Sequence, residues 1–206
     1  MGQEFYKKIY SVREFYTILY QGLRTVKYMR KAEKDGEMTQ EFIERIMLAV
    51  TEVNGCEVCS YGHAKMALER GVTDEEIQML LSGKTGDVPV EEAQAVFFAQ
   101  HYADQRGKPD RVAWEKIVSL YGKEKAYGIL GAIRMIMVGN AYGIAFSAFR
   151  SRLRGKPIVK HTLFEERKLS IFYELGMLLS LIPFLPITIV RVILANVTKR
   201  PVIQFA

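Results

Sequence analysis

The chain has 206 residues, of which 49% are hydrophobic and 25% are charged, a composition typical of a globular protein rather than a disordered or fibrous one. Two cysteines are too few for the disulfide framework of a small secreted domain. The net charge of +6 is uneven: residues 41–147 carry 11 basic and 15 acidic groups (−4), whereas residues 148–206 carry 10 and 3 (+7). An acidic central region excludes a nucleic-acid platform, which needs clustered lysine and arginine.

The N-terminal segment predicts an amphipathic helix. Aromatic and apolar side chains recur at helical spacing over residues 4–31, with charged residues between them. We expect this face to pack within the protein, and contact with a membrane surface is the alternative. The segment should end at Lys34-Asp35-Gly36. Because no apolar signal core opens the sequence, we expect a cytoplasmic protein whose cysteines are reduced at rest.

The central region predicts helices and no strand, so the expected fold class is all-α, a helical bundle. Thr39 should cap a helix that runs to about Val53, and Asn54-Gly55 should interrupt it. Thr73 and Glu76 form the pattern of a capping box, in which each side chain bonds the other residue's backbone. Further helices are expected over residues 56–71, 74–83, 90–105, from Asp110 onward, and 123–154.

Four glycines lie inside the last and longest of these helical stretches. Each costs about 1 kcal/mol relative to alanine in a helix interior, so their presence needs a packing reason. We expect another helix backbone to approach them closely, from this chain or from another subunit. They are Gly128, Gly131, Gly139 and Gly143.

The C-terminal segment combines an apolar run with basic residues. Leu175 to Val190 contains no charge, but Pro183 and Pro186 interrupt it and Arg191 closes it. A membrane-spanning helix needs about 20 predominantly apolar residues, so this run is short for a span. We expect burial between subunits first, and peripheral membrane contact through residues 160–206 as the alternative.

The residues that carry chemistry are concentrated in one short stretch. Cys56, Cys59 and His63 are spaced by three and four residues, which places them on one face of a helix. A helix N-terminus favours a thiolate at Cys56, and His63 can accept the proton of Cys59. Either Glu52, four residues before Cys56, or Glu44, on the preceding helix, could orient the histidine.

Other interpretations of the same stretch remain open. Cys56, Cys59 and His63 could hold Zn²⁺ with Glu52 as the fourth ligand, although no second cysteine or histidine pair supports this. The cysteines could also be small hydrophobic core residues. Tyr61 flanks the motif and is a candidate residue for lining a pocket. We favour a redox pair and expect no bound metal and no bound cofactor.

The motif resembles the active site of a known family. A glutamate, eleven residues, Cys-X-X-Cys, three residues and a histidine is the pattern of alkylhydroperoxidase D-like proteins in the carboxymuconolactone decarboxylase superfamily. Asn54-Gly55-Cys56 and residues 71–77 are also similar to the family, and the similarity spans roughly residues 38–150. We therefore divide the chain into an N-terminal helical extension (1–36), a family-like domain (37–155) and a basic, apolar C-terminal extension (156–206).

The resemblance implies a homo-oligomeric helical bundle, a trimer or hexamer, that reduces hydroperoxides through the cysteine pair. It implies that Glu44 and His63 form the proton relay and that an external dithiol protein, lipoyl- or thioredoxin-like, restores the thiols. The decarboxylase branch lacks the cysteine pair. We favour Cys59 as the attacking sulfur, and the reverse assignment to Cys56 stays open. The alternative function is a non-enzymatic helical scaffold or a membrane-peripheral binding protein.

Overall fold

A computed structural model describes residues 8–155, 159–162, 165–168, 170–203 and 205, with the two short central ranges described by their backbone alone. Within these ranges the protein is an all-α bundle, as predicted. Its helices are α1 (Val12–Lys34), α2 (Gln40–Asn54), α3 (Glu57–Glu69), α4 (Asp74–Leu81), α5 (Val90–Asp104), α6 (Arg111–Leu153) and α7 (Ile171–Val197). A two-stranded antiparallel hairpin, β1 (Val159–Thr162) and β2 (Glu165–Lys168), precedes α7.

The first helix begins later than the sequence pattern predicts. Ser11 caps α1: its side chain accepts a hydrogen bond from the Glu14 backbone, and the Glu14 carboxylate accepts one from the Ser11 backbone at 2.7 Å. This reciprocal cap fixes the start of the helix at Val12, so the prediction of helix at residues 8–11 is wrong. The earlier part of that prediction lies outside the described residues.

Only one of the two hydrogen bonds of the predicted capping box of α4 forms. The Thr73 side chain accepts a hydrogen bond from the Glu76 backbone at 3.2 Å. The Glu76 carboxylate does not return the bond to Thr73 but accepts hydrogen bonds from Arg45 on α2, at 2.5 and 3.3 Å. Charge-assisted pairing with a guanidinium is stronger than a bond to a neutral backbone amide, and it ties α4 to α2.

Helix α6 is the central helix of the bundle, and α1 packs closely along it. Gly122 (φ 73°, ψ 162°) breaks α6, which matches the two helices expected on either side of that point. A Cβ atom at Gly131 would lie 2.8 Å from the carbonyl oxygen of Thr25 and 3.1 Å from the amide nitrogen of Met29. The predicted close approach of a second helix backbone therefore occurs at Gly131, and α1 is that helix. A Cβ atom at Gly128 would lie 2.7 Å from the Cβ of Ala32 and 2.7 Å from the sulfur of Met38, so side chains are the nearest neighbours there.

The other two glycines have different surroundings. A Cβ at Gly139 would meet only a side-chain methyl group of Ile136 at 3.7 Å, and the position is exposed. Among the described residues no backbone of another helix lies within 4 Å of that Cβ position. Gly143 faces two sulfur atoms, which belong to the candidate site.

The outer helices share the core of the central ones. Phe15 of α1 and Met177 of α7 are fully buried in the same hydrophobic cluster as Phe42, Phe98 and Ile133. The segment boundaries at residues 36 and 155 stay predictions, but α1 and α7 are integral layers of the bundle.

Two of the described helices, α6 and α7, are long and apolar enough to cross a membrane by length and composition. In α6 most of the apolar stretch is buried, as expected of the core helix of a bundle, whereas only 17% of the corresponding stretch of α7 is buried. Helix α7 packs one face on α1 and α6.

The α1–α6 contact generates a test by substitution. Gly131→Ala should lower the free energy of unfolding by about 1 kcal/mol, because overpacking against backbone atoms costs roughly 1–3 kcal/mol and outweighs the gain in helix propensity. The matched variant Gly139→Ala should raise it by up to about 1 kcal/mol. Urea denaturation measures both, and stabilisation by both variants would contradict the close contact.

Candidate active site

A left-handed turn positions the first cysteine. Helix α2 ends at Asn54, and Gly55 adopts φ 69° and ψ 38°, a conformation that glycine reaches without steric cost. Cys56 follows as the N-cap of α3, and its carbonyl oxygen accepts a hydrogen bond from the Ser60 backbone at 2.8 Å. The turn therefore places Cys56 at the amino end of α3, where unpaired backbone N–H groups favour a thiolate.

The two cysteines form a close pair at the start of α3. Their sulfur atoms are joined as a disulfide, and their Cα atoms are 5.3 Å apart. Only 1% of Cys56 is exposed, whereas Cys59 is partly exposed. The pair thus has one buried sulfur and one that borders the surface.

Gly143 of α6 supports the pair from behind. A Cβ atom at this position would lie 2.8 Å from the Cys56 sulfur and 2.9 Å from the Cys59 sulfur. Any side chain larger than hydrogen would force the sulfurs or the helix to move. This contact gives the physical reason for a glycine in the interior of α6 at residue 143.

The histidine is oriented by a buried carboxylate. Nδ1 of His63 lies 2.7 Å from Oε2 of Glu44, and the other Glu44 oxygen accepts a hydrogen bond from Arg70. Glu44 is 2% exposed, so both of its partners are needed to offset the loss of water around the carboxylate. With Nδ1 bound, Nε2 is the His63 atom that remains for proton exchange.

The fold-back of α2 on α3 brings these groups together. The turn at Gly55 reverses the chain, so residue 44 on α2 comes level with residue 63 on α3. The sequence left the choice between Glu44 and Glu52 open, and the structure brings Glu44 to the histidine. Arg70 was missed, although it caps the end of α3 seven residues after His63, a spacing of two helical turns that places both on the same side of the helix.

Glu52 and Tyr61 lie apart from the histidine. The Glu52 carboxylate is close to Gly83, at 3.5 Å from where a Cβ of that residue would stand. Burial raises the pKa of Glu52, which Lys8 opposes. Tyr61 is 78% exposed, so its side chain lies at the surface, and its role in lining a pocket stays a prediction.

Buried hydrogen bonds hold the last turn of α2, which leads into the turn at Gly55. The Tyr10 hydroxyl donates to Oδ1 of Asn54 at 2.6 Å, and burial raises the pKa of Tyr10 well above its usual range, which keeps it a donor. The Thr51 hydroxyl donates to Oδ1 of Asn140 at 3.1 Å. These residues come from three parts of the chain, the segment before α1, α2 and α6, and sequence spacing gives no signal for their meeting.

The zinc alternative is not supported by the donor geometry. It requires Glu52 to join Cys56, Cys59 and His63, but Glu52 faces Gly83 and Nδ1 of His63 is bound to Glu44. Within the described ranges no three His, Cys, Asp or Glu side chains form a group suited to a metal ion.

Comparison with known proteins supports the resemblance seen in the sequence. Residues 21–100 match the sequence model of the carboxymuconolactone decarboxylase family. The matched region extends from the middle of α1 into α5 and contains Glu44, Cys56, Cys59 and His63. No curated protein and no solved structure matches the chain.

The environment of Glu52 predicts a pH-dependent stability. Because burial raises its pKa in the folded state, the folded protein holds this proton more tightly than the unfolded chain does. The free energy of unfolding should therefore fall as pH rises from the unfolded value, about 4.5, through the higher folded value. Glu52→Gln should remove this loss and raise stability at pH 7 by about 0.5 kcal/mol, since the carboxylate is only half-buried.

Denaturation of both proteins across pH 3–8 measures this difference, with exposed Glu115→Gln as the matched control. The advantage of Glu52→Gln should vanish at about pH 3, where the carboxyl is protonated in both states. A difference in unfolding free energy between Glu52→Gln and wild type that stayed constant from pH 3 to pH 8 would show that burial does not raise the pKa of Glu52.

Proposed function

We propose that this chain, which carries a region of the carboxymuconolactone decarboxylase family at residues 21–100, is a thiol peroxidase that reduces alkyl hydroperoxides. The observation that carries the proposal is the placement of a sulfur pair at a helix N-terminus, one helical turn from a histidine bound to a buried glutamate. A family that includes enzymes makes catalysis plausible, and the cysteine pair favours its redox branch over decarboxylation.

Cys59 is the attacking sulfur in this proposal. It is partly exposed, whereas Cys56 is 1% exposed, so a peroxide reaches Cys59 first. Cys59 also lies one helical turn before His63 on the same face. Nε2 of His63 accepts the thiol proton, while the contact of Nδ1 with Glu44 fixes the ring and stabilises the imidazolium that forms.

The proposed reaction proceeds in three steps. The Cys59 thiolate attacks the terminal oxygen of the hydroperoxide, the O–O bond breaks, and the alkoxide leaves as alcohol with the proton held by His63. Cys59 is then a sulfenic acid. The Cys56 thiol condenses with it, releasing water and forming the disulfide. A dithiol protein reduces this disulfide by exchange, is itself oxidised to a disulfide, and returns both thiols.

The surface beside Cys59 suits the approach of such a reductant. Val58 and Tyr61 flank Cys59 and are 44% and 78% exposed, which leaves apolar surface next to the partly exposed sulfur. A lipoyl- or thioredoxin-like partner would attack Cys59 from this side, because Cys56 is buried. Assembly into trimers or hexamers and a cytoplasmic location are further parts of the proposal.

The first test is the fate of the thiols. Treatment of the reduced protein with one equivalent of organic hydroperoxide should remove both free thiols and about two mass units, reversibly on addition of a dithiol. Cys56→Ser should instead stop at a sulfenic acid on Cys59, heavier by about 16 mass units. Thiol titration and intact mass spectrometry measure these products.

Two other results would decide against the peroxidase. Thiols that survive peroxide unchanged, with stoichiometric zinc in the same sample, would indicate the metal site. Thiols that survive with no metal would favour the non-enzymatic scaffold. A sulfenic acid that forms in Cys59→Ser, and not in Cys56→Ser, would reverse the roles of the two cysteines.

The proton relay gives a second test. Glu44→Gln should slow the peroxide-dependent loss of thiols by roughly 10²–10⁴-fold, because the histidine loses the carboxylate that orients it. Glu52→Gln, on the same helix, should leave this rate within about twofold of wild type. Stopped-flow measurement of thiol oxidation against pH compares them. Equal losses in the two variants would show that Glu44 has no special role.

A further inference from the structure

Helix α7 has the polar arrangement of a lipid-facing helix. Its polar side chains contact the protein body or the helix's own backbone, and only Arg191 and Asn196 among them are exposed. Buried Glu174 pairs with Arg152 at 2.7 and 2.9 Å, and the Tyr173 hydroxyl donates to the carbonyl oxygen of Tyr10 at 2.6 Å. Ser180 and Thr188 are buried and donate to carbonyl oxygens of their own helix.

The two polar groups near the end of the helix follow the same rule. The guanidinium of Arg191 lies over the ring of Tyr20, 4.2 Å from its centroid, and also near Tyr16 of α1. The Asn196 side chain accepts a hydrogen bond from Lys27 of α1 at 3.2 Å. The only basic residue within α7 is thus directed toward aromatic rings of the bundle.

The opposite side of α7 is apolar and uncovered. Eleven hydrophobic residues of this helix are between 40% and 83% exposed, which is far more than a surface helix of a soluble bundle presents. We call this set the outer face of α7. Its residues are Ile171, Phe172, Leu179, Ile182, Leu185, Ile187, Ile189, Val190, Ile193, Leu194 and Val197.

Exposed cations border both ends of the outer face. The Arg152–Glu174 pair brings the end of α6, with exposed Arg150 and Arg154, to the start of α7. Exposed Lys199 and Arg200 follow its last turn. Between residues 170 and 203 the sole acidic residue is Glu174, which is buried and paired. The border of the face is therefore positively charged.

We propose that the outer face of α7 binds the surface of an anionic lipid bilayer, with the helix in the plane of the interface and the bundle on the aqueous side. Apolar side chains enter the acyl region, and the basic residues at both ends contact phosphate headgroups. A second copy of the chain suits the face less well. It would bring like-charged borders together, and the outer face offers no polar side chain for the hydrogen bonds of a typical protein interface.

The packing of α7 excludes a transmembrane orientation for this arrangement. One side of the helix lies against α1, which carries charged residues along its length, and against α6. The bundle can therefore meet a bilayer only from the side. The site would then lie near the bilayer, because adjacent residues of α6 contact the site and α7: Gly143 lies at the sulfurs, and the Tyr142 hydroxyl donates to the Leu178 carbonyl of α7.

Vesicle co-sedimentation of the full chain tests the proposal. Wild type should bind vesicles of phosphatidylcholine mixed with phosphatidylglycerol at least tenfold more strongly than vesicles of phosphatidylcholine alone, and added salt should reduce that difference. The double variant Phe172→Asp/Ile182→Asp should lose at least tenfold in binding to the anionic vesicles. Both positions are exposed, at 83% and 73%, so the fold should persist.

The matched control is Val90→Asp/Val112→Asp, which changes two equally exposed valines on other helices and should bind like wild type. Circular dichroism and the thiol oxidation assay verify that each variant is folded. Unchanged binding by the α7 double variant, or equal binding to both vesicle types, would overturn the proposal. The proposal would also be overturned if wild type did not bind vesicles and the α7 double variant had half the mass of wild type in analytical ultracentrifugation. A second copy of the chain would then cover the outer face.

Discussion

The candidate site depends on one buried charge. Glu44 is 2% exposed, and a carboxylate in that position is tolerated only with partners that offset its lost hydration. His63 and Arg70 supply those partners, one to each oxygen; His63 lies in α3 and Arg70 caps its end. The same contacts that stabilise the carboxylate therefore fix the angle between α2 and α3 and hold the imidazole ring in place. Position and chemistry follow from a single constraint.

A second constraint is the space that glycines leave along α6. Gly131 admits the backbone of α1, while Gly143 admits the two sulfurs of Cys56 and Cys59. Both contacts depend on the missing Cβ of glycine. The contact at Gly131 lets α1 pack against α6, and the contact at Gly143 makes room for the cysteine pair. Since α6 carries both, the cysteine pair rests on the same helix that packs against α1. The site is supported on one side by α6 and reaches solvent through the partly exposed Cys59 and His63.

Helix α7 follows a different rule from the rest of the bundle. In α1, the charged residues other than Arg24 are at least partly exposed and the buried positions are mostly apolar, as in most soluble proteins. In α7, Glu174, Ser180 and Thr188 are buried, and most exposed positions are apolar, Arg191 and Asn196 being exposed polar residues that contact α1. Burial of this apolar surface away from water would be favourable, which is why we propose an apolar environment against the outer face. The basic residues beyond both ends of the helix favour an anionic bilayer surface as that environment in our proposal.

The sequence by itself determined the all-α class, most helix ends and the Cys56-X-X-Cys59-X₃-His63 motif, because capping residues, glycines and helical periodicity are local signals. It did not choose between Glu44 and Glu52, and it missed Arg70, because that choice depends on how α2 folds back at Gly55. It could not show that Glu76 pairs with Arg45, that Gly143 faces the sulfurs, or that the polar groups of α7 turn inward. Those facts depend on which helix faces meet, and periodicity identifies a face without identifying its partner.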